Sequence, residues 1–316
     1  MIMLHWMLKQ LGQITSENKL SILIYHQVFA QNDPMRPSEP DAAEFAWQMK
    51  LLRDYFNPIS LSKAVALLKV KKLPPNSVCV TFDDGYLNNL TVAQPILAQY
   101  NIPATVYVAP GFSHGANMWN DRLIDLIGNT AISSFNLHAL QLPSEQVSDF
   151  DSRRQLAYKL IPLIKYQDYL QRIAILDQLY ADNQASELPA KMMRPEQIKQ
   201  LSDLGGEIGA HTVEHPILAS QTIEQQQQQI NQSKQQLEQW LLQPVMGFAY
   251  PNGKPIDDYP ITAVDLVKQA GFDYAVSTTA GISTPTADFY QLNRFTPWDK
   301  TPSRFHLRMI RNMLGL

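Results

Sequence analysis

The chain is predicted to be an α/β protein built on a parallel sheet, either open or closed into a barrel. Short apolar runs rich in β-branched residues recur along it, and segments with helical spacing lie between them. Parallel neighbours require such crossover connections, so the alternation itself argues for the class. The strand candidates, in chain order, are Leu20 to Tyr25, Val78 to Phe82, Ala104 to Ala109, Glu207 to Ala210, Val245 to Tyr250 and Tyr274 to Ser277. All are short, and apolar enough to be buried on both faces.

Two helices are legible from their stripes. Phe45, Met49 and Leu52 form one, and Ile223, Ile230, Leu237 and Leu241 form another, with polar residues between them. The glutamine run from Gln225 to Gln229 falls on the second helix, where a solvated polar face accounts for it. From Ala109 to Glu207 the connection is far longer than one helix and two loops. Helical patterns at Asp121 to Ile127, Arg153 to Ile164 and Tyr169 to Tyr180 make residues 113–190 a helical insertion within a single barrel domain spanning 1–316. Pro189 and Pro195 punctuate the return.

Apolar residues make up 45% of the 316 and charged residues 17%, enough to build a sizeable core and unlike a disordered chain. A net charge of -3 without any Lys/Arg run argues against a nucleic-acid partner. Cys79 is the only cysteine, so no intrachain disulfide forms, and its place in Val78-Cys79-Val80 reads as a buried strand thiol. No stretch approaches the roughly 20 apolar residues of a transmembrane span. The N-terminus lacks the features of a secretory signal, so cytoplasmic residence is expected. Met1 to Leu8 and Phe305 to Leu316 suit interfacial helices peripheral to a membrane, although core packing or homodimer contact is the preferred reading.

Thr81-Phe82-Asp83-Asp84-Gly85-Tyr86 follows a buried strand directly and puts two carboxylates at its C-terminal end, the active face of α/β barrels. Taken alone, Asp-Asp-Gly also serves as an ordinary turn. His211-Thr212-Val213-Glu214-His215 likewise leaves a strand, and its spacing of four brings both imidazoles to one side if the turn is helical. Surface or capping histidines are the plain alternative. Together, Asp84, His211 and His215 make a three-ligand set with coordination positions left open, which a catalytic metal requires and a structural site lacks.

These motifs resemble those of the polysaccharide deacetylases of the NodB homology type, carbohydrate esterase family 4. Thr81 to Tyr86 matches the first motif and His211 to His215 the second. Phe248-Ala249-Tyr250-Pro251-Asn252-Gly253 aligns with the third, but Ala249 stands where the family has an arginine. The family's late histidine, which follows a leucine, is not convincingly supplied by Phe305-His306-Leu307. Tyr25-His26 at the end of the first strand resembles the start of a subgroup that looks circularly permuted. The similarity runs from Leu20 to about Phe295, most weakly across the insertion.

The resemblance implies a deformed (β/α)7 barrel and a metal-dependent hydrolase of linear amide bonds, removing N-acetyl groups from a sugar or polysaccharide during its biosynthesis or modification. It implies a divalent ion, zinc first and cobalt, nickel, iron or manganese as substitutes, on Asp84, His211 and His215, with Asp83 as base. Arg294 is the candidate to replace the missing arginine, His26 the candidate acid, and a backbone N–H near Asn252 the oxyanion donor. Tyr86, Tyr250, Pro251, Asn252, Trp119 and Trp298 are the candidate carbohydrate contacts. Two alternatives stay open: an O-acetyl esterase or small-amide hydrolase, and a non-catalytic carbohydrate-binding homologue.

Overall fold

The computed structural model describes residues 2–315. The chain begins with α1 (Ile2–Thr15), β1 (Ser21–Tyr25), α2 (Ala42–Tyr55), the two-residue β2 (Asn57–Pro58), α3 (Leu61–Lys69), β3 (Ser77–Phe82), α4 (Gln94–Gln99) and β4 (Ala104–Val108). The insertion follows as α5 (Trp119–Gly128), a small hairpin of β5 (Ser134–Phe135) and β6 (Glu145–Gln146), α6 (Phe150–Lys165) and α7 (Tyr169–Asp182). The alternation resumes with α8 (Pro195–Asp203), β7 (Glu207–Ala210), α9 (Ile223–Leu241), β8 (Gly247–Ala249), α10 (Ile261–Gln269), β9 (Tyr274–Val276) and α11 (Pro302–Leu314).

The main strands pair in parallel in the order β1-β3-β4-β7-β8-β9. A segment the sequence did not mark as a strand, residues 292–295, closes the ring. The Ser277 N–H donates to the Leu292 carbonyl at 2.8 Å on one side, and the Phe295 N–H donates to the Ile22 carbonyl at 3.0 Å on the other. Both contacts are parallel bridges, Val276 to Leu292 and Leu23 to Phe295. The result is a deformed (β/α)7 barrel. Four residues are too few to show an apolar period, which is why this seventh staff is invisible in the sequence.

Large side chains fill the interior, and two glycines make room for them. A Cβ on Gly209 would lie 2.3 Å from the Tyr107 ring, and one on Gly247 would lie 2.7 Å from the Tyr274 ring. These tyrosines pack with Leu20, Ile22, Cys79 and Val276 inside the barrel. Burial holds the Cys79 thiol well above its ordinary pKa, which leaves it inert at neutral pH. A larger cluster joins the outer faces of the strands to α2, α9, α10 and α11. The insertion has its own core, in which Leu123, Phe135, Leu156 and Leu176 are fully buried or nearly so.

Helices α1 and α11 pack on each other at the barrel's flank, joined by His5 and His306, whose Nδ1 atoms are 2.8 Å apart. His306 is thus a packing residue. Burial and then the His5 imidazole lower its pKa to about 3, and burial also lowers that of His5. The unfolded chain therefore binds protons that the folded chain does not, and stability falls as pH drops from about 6.5 toward 3. His306→Phe should lose less stability than wild type between pH 6.5 and 4, read as the urea midpoint at each pH. Parallel curves would refute the assignment. Among the described residues no helix is long and apolar enough to cross a membrane.

Candidate active site

The C-terminal ends of β1, β3 and β7 and of the closing segment deliver chemistry to one mouth. Past Phe82 the backbone of Asp83 still follows the barrel, its N–H donating to the Tyr25 carbonyl at 3.0 Å. At Asp84 the chain turns into the left-handed region with φ of +75°, followed by Gly85 at +86°. That reversal sends the neighbouring carboxylates in different directions. His211 continues β7, while Thr212 and His215 have φ of +59° and +51°. The loop is irregular and not the helical turn that the spacing of four suggested, so the imidazoles converge through two left-handed residues.

A side chain from the glutamine run holds this loop in place. Gln229 Oε1 accepts from the Val213 and Glu214 N–H groups, both at 2.9 Å, and its Nε2 donates to Glu214 Oε2 at 2.9 Å. The solvated-face reading of residues 225–229 therefore fails at Gln226, which is buried, and at Gln229, which supplies the acceptor that a non-helical loop needs. If the loop's histidines hold a divalent ion, Gln229→Ala should weaken the binding of added metal by about 10–100-fold, the usual effect of losing a group that orients metal ligands. Competition against a chromogenic chelator measures this, and unchanged affinity would leave Gln229 a purely structural residue.

Asp84 Oδ1 lies 3.5 Å from His211 Nε2 and 3.5 Å from His215 Nε2. All three ligand atoms lie within 4.8 Å of one another. The His211 Nδ1–H donates to the Ala249 carbonyl at 2.7 Å, which leaves Nε2 with a lone pair facing the carboxylate. Burial lowers the His215 pKa to about 4, so its imidazole is neutral at pH 7. Asp84 Oδ1 is buried without a hydrogen-bond partner. Imidazole lone pairs aimed at an unpartnered carboxylate oxygen repel it unless a cation lies between them. The donor set thus fits a divalent metal.

Asp83 is held apart from this set. Arg294, fully buried on the closing segment, forks onto it, with Nη1 to Oδ1 at 2.7 Å and Nη2 to Oδ2 at 2.8 Å. The guanidinium is fixed in turn by Nε donating to the Ser277 carbonyl at 2.9 Å and by the Tyr107 ring beneath it. Burial disfavours the Asp83 carboxylate, but the charge and the hydrogen bonds of Arg294 outweigh that and hold its pKa below the usual range. At Ala249 the backbone carbonyl binds His211, while the charge that pairs with Asp83 comes from the closing segment between β9 and β1.

These groups line a cleft of about 550 Å³, together with His26, Tyr86, Asn252 and the half-exposed Trp298. The Asn252 N–H has no acceptor among the described residues, and its backbone is left-handed at φ of +59°. Three expected carbohydrate contacts lie elsewhere. Tyr250 is fully buried, stacked on Tyr259 at 3.8 Å, with its hydroxyl donating to the Tyr290 carbonyl. Pro251 is buried outside the cleft lining. Trp119 packs in the insertion under the Arg172 guanidinium, at 5.6 Å. Alternation explains Tyr250: it leaves β8 on the face that packs against helices.

Sequence reasoning missed two features of the cleft wall. Arg36 reaches Asp121 at 2.6 Å, and the Tyr86 hydroxyl donates to Asp121 at 2.7 Å, tying the insertion to the β3 loop. Glu39 accepts from the Gln27 N–H at 3.3 Å and lies in the field of His26. Burial works against charged His26, but Asp84, Glu39 and Asp83 together raise its pKa above the ordinary value. Neither Arg36 nor Glu39 carries a signal in the sequence, because both lie in an aperiodic loop.

A parallel barrel with titratable groups gathered at its C-terminal rim defines the class: an α/β-barrel protein whose chemistry is carried by strand-end loops. The particular family follows from comparison. A polysaccharide deacetylase family model matches residues 70–275, and the chain belongs to that family. The match includes Asp83, Asp84, His211 and His215 but neither His26 nor Arg294. A relative named "Putative polysaccharide deacetylase YxkH", from Bacillus subtilis (strain 168), is 28% identical over 146 residues, 44% of this chain and 51% of that protein. The chain thus spans about half the length of that curated relative. The Streptococcus pyogenes deacetylase PplD, solved with acetate, shares the fold with a TM-score of 0.62 at 19% identity, covering 92% of this chain and 98% of that one. IcaB from Ammonifex degensii gives 0.59 at 19% identity, covering 92% and 97%.

Proposed function

We propose that this chain is a carbohydrate de-N-acetylase that works with a divalent ion, zinc by preference, on Asp84, His211 and His215. The observation that carries this reading is the division of labour between neighbouring carboxylates. Asp84 faces two imidazoles without a hydrogen bond at Oδ1, whereas Asp83 is clamped by Arg294 beside it. The bound ion supplies Lewis acidity toward an amide carbonyl and toward water. Cobalt, nickel, iron and manganese accept the same donors.

Asp83 takes the proton of the attacking water. The Arg294 fork keeps it ionised at neutral pH, at some cost in basicity, and fixes the direction from which it accepts. The Asn252 N–H, without a protein acceptor in a residue that lines the cleft, receives the developing oxyanion, where a fixed donor contributes on the order of 10²–10³ in rate. His26 gives a proton to the departing amine. Glu39 supports its charged form independently of Asp84, whose charge a bound cation would offset. Trp298 offers an exposed ring to an apolar sugar face.

The test is acetate release from N-acetylated oligosaccharides, O-acetylated sugars and small amides, each with and without EDTA. The proposal expects chelator-sensitive release from the first, and His26→Ala should depress amide cleavage by about 10²-fold or more while slowing ester cleavage less, because an alkoxide departs far more readily than an unprotonated amine nitrogen. Activity confined to O-acetyl sugars or small amides would replace the sugar amide as substrate. Sugar binding without release, with zinc added, would make the chain a binding protein.

A further inference from the structure

A second cavity, of about 440 Å³, opens beside the catalytic cleft and shares Ala280, Phe295, Thr296 and Trp298 with it as a common wall. Its other wall is a face of α11. Arg304, Arg308 and Arg311 line it at i, i+4 and i+7, so they stand along one side of the helix over about 10 Å. The Arg308 guanidinium is neutralised by Asp299 and lies 4.8 Å from the centre of the Trp298 ring. Arg304 and Arg311 are exposed and have no carboxylate within ion-pair distance among the described residues.

The charge pattern is asymmetric. The cleft itself is lined by Glu39, Asp83, Asp84 and Asp121, with Arg36 and Arg294 both committed to those aspartates. The chain as a whole is acidic, at -3. Unpaired guanidiniums on a groove that begins at the cleft's rim are therefore placed against the prevailing field. An anionic group on a ligand finds in the groove guanidiniums that no carboxylate of the protein already occupies. Arginine donates two N–H groups in a plane and suits phosphate oxygens.

We propose that this groove binds the phosphate or diphosphate of a phosphorylated sugar whose N-acetyl group lies in the cleft, with Arg304 and Arg311 as its ligands. The inference rests on the deacetylase reading and narrows its substrate to a sugar with a phosphate ester. Trp298, common to both cavities, stands between the acetamido end and the phosphate end. The Arg308–Asp299 pair holds Trp298 in place and leaves the other two arginines to the ligand.

Pyrophosphate binding to the full chain, measured by isothermal titration in EDTA so that no metal captures the anion, tests the site without requiring any deacetylation. Arg304→Gln/Arg311→Gln should weaken it at least tenfold, with a smaller salt dependence than wild type. Equal affinity in the two proteins, or no binding by wild type, would overturn the proposal, as would glucuronate binding as tightly as pyrophosphate. A kinetic arm compares N-acetylglucosamine 1-phosphate with the neutral methyl glycoside. The ratio of their kcat/KM values should fall at least tenfold in the double variant, and an unchanged ratio would leave the groove unrelated to the substrate. Loss of all acetate release with pyrophosphate still bound would instead count against the deacetylase reading alone.

Discussion

Asp83→Asn is expected to lower kcat by about 10²–10⁴, the contribution of a positioned proton acceptor, while zinc affinity stays within a few-fold of wild type. Asp84→Asn should do the reverse in origin: activity falls because the ion is lost. The contrast depends on the left-handed turn at Asp84, which separates two adjacent carboxylates into a clamped one and an open one. The amide that replaces the Asp83 carboxylate can still accept from Arg294, but it leaves a guanidinium charge uncompensated in a fully buried place. If the single variant folds poorly, Asp83→Asn/Arg294→Met removes both charges and should recover folding without recovering activity. Zinc affinity and kcat measured on wild type and these three variants decide the matter. An Asp83→Asn protein that turns over normally, or that loses zinc as Asp84→Asn does, would end the assignment of Asp83 as the base.

Arg294→Met carries the largest effect on stability, about 3–5 kcal/mol, since it strips a buried carboxylate of its partner. The sign of the pH effect follows from the shift. In wild type the Asp83 pKa is depressed against the pull of burial, so its stabilisation is present above the unfolded value of about 3.9 and is lost as pH falls through the folded one. Without Arg294 the burial effect is unopposed and the pKa rises. The acid limb of the pH–rate profile should move to higher pH, and the stability deficit at pH 7 should shrink as Asp83 protonates. Arg294→Lys keeps charge without the fork and should fall between. Denaturant midpoints and a kcat/KM profile from about pH 3.5 to 9 read both effects, and an unshifted acid limb in Arg294→Met would separate Arg294 from catalysis.

Much of the scaffold is written locally. The runs at Leu20 to Tyr25, Val78 to Phe82 and Ala104 to Ala109 become β1, β3 and β4 because β-branched residues buried on both faces suit a barrel staff. The stripe from Ile223 to Leu241 becomes α9, started by Thr222 capping Gln225. The pairing of Asp84 with His211 and His215 was legible because each stands just past a strand, and parallel strands place such residues at one end. Tyr250, Pro251 and Trp119 went to the wrong place on the same logic, since proximity to a motif does not say which face a side chain takes.

What the sequence by itself determined is the alternation that makes a parallel barrel and the donor types its rim collects: carboxylates after β3, imidazoles after β7. What only the tertiary structure decided is which of those donors meet, and what holds them. Arg294 reaches Asp83 across 211 positions of chain, because residues 292–295 slip between β9 and β1 to close the ring. Gln229 braces a loop sixteen residues before it. Arg304 and Arg311 line a groove at the rim because α11 packs beside the closing segment. Such contacts follow from closure and packing, which depend on where distant segments end in space. Local periodicity records a side chain's own helix or strand and carries no trace of the partner across the barrel.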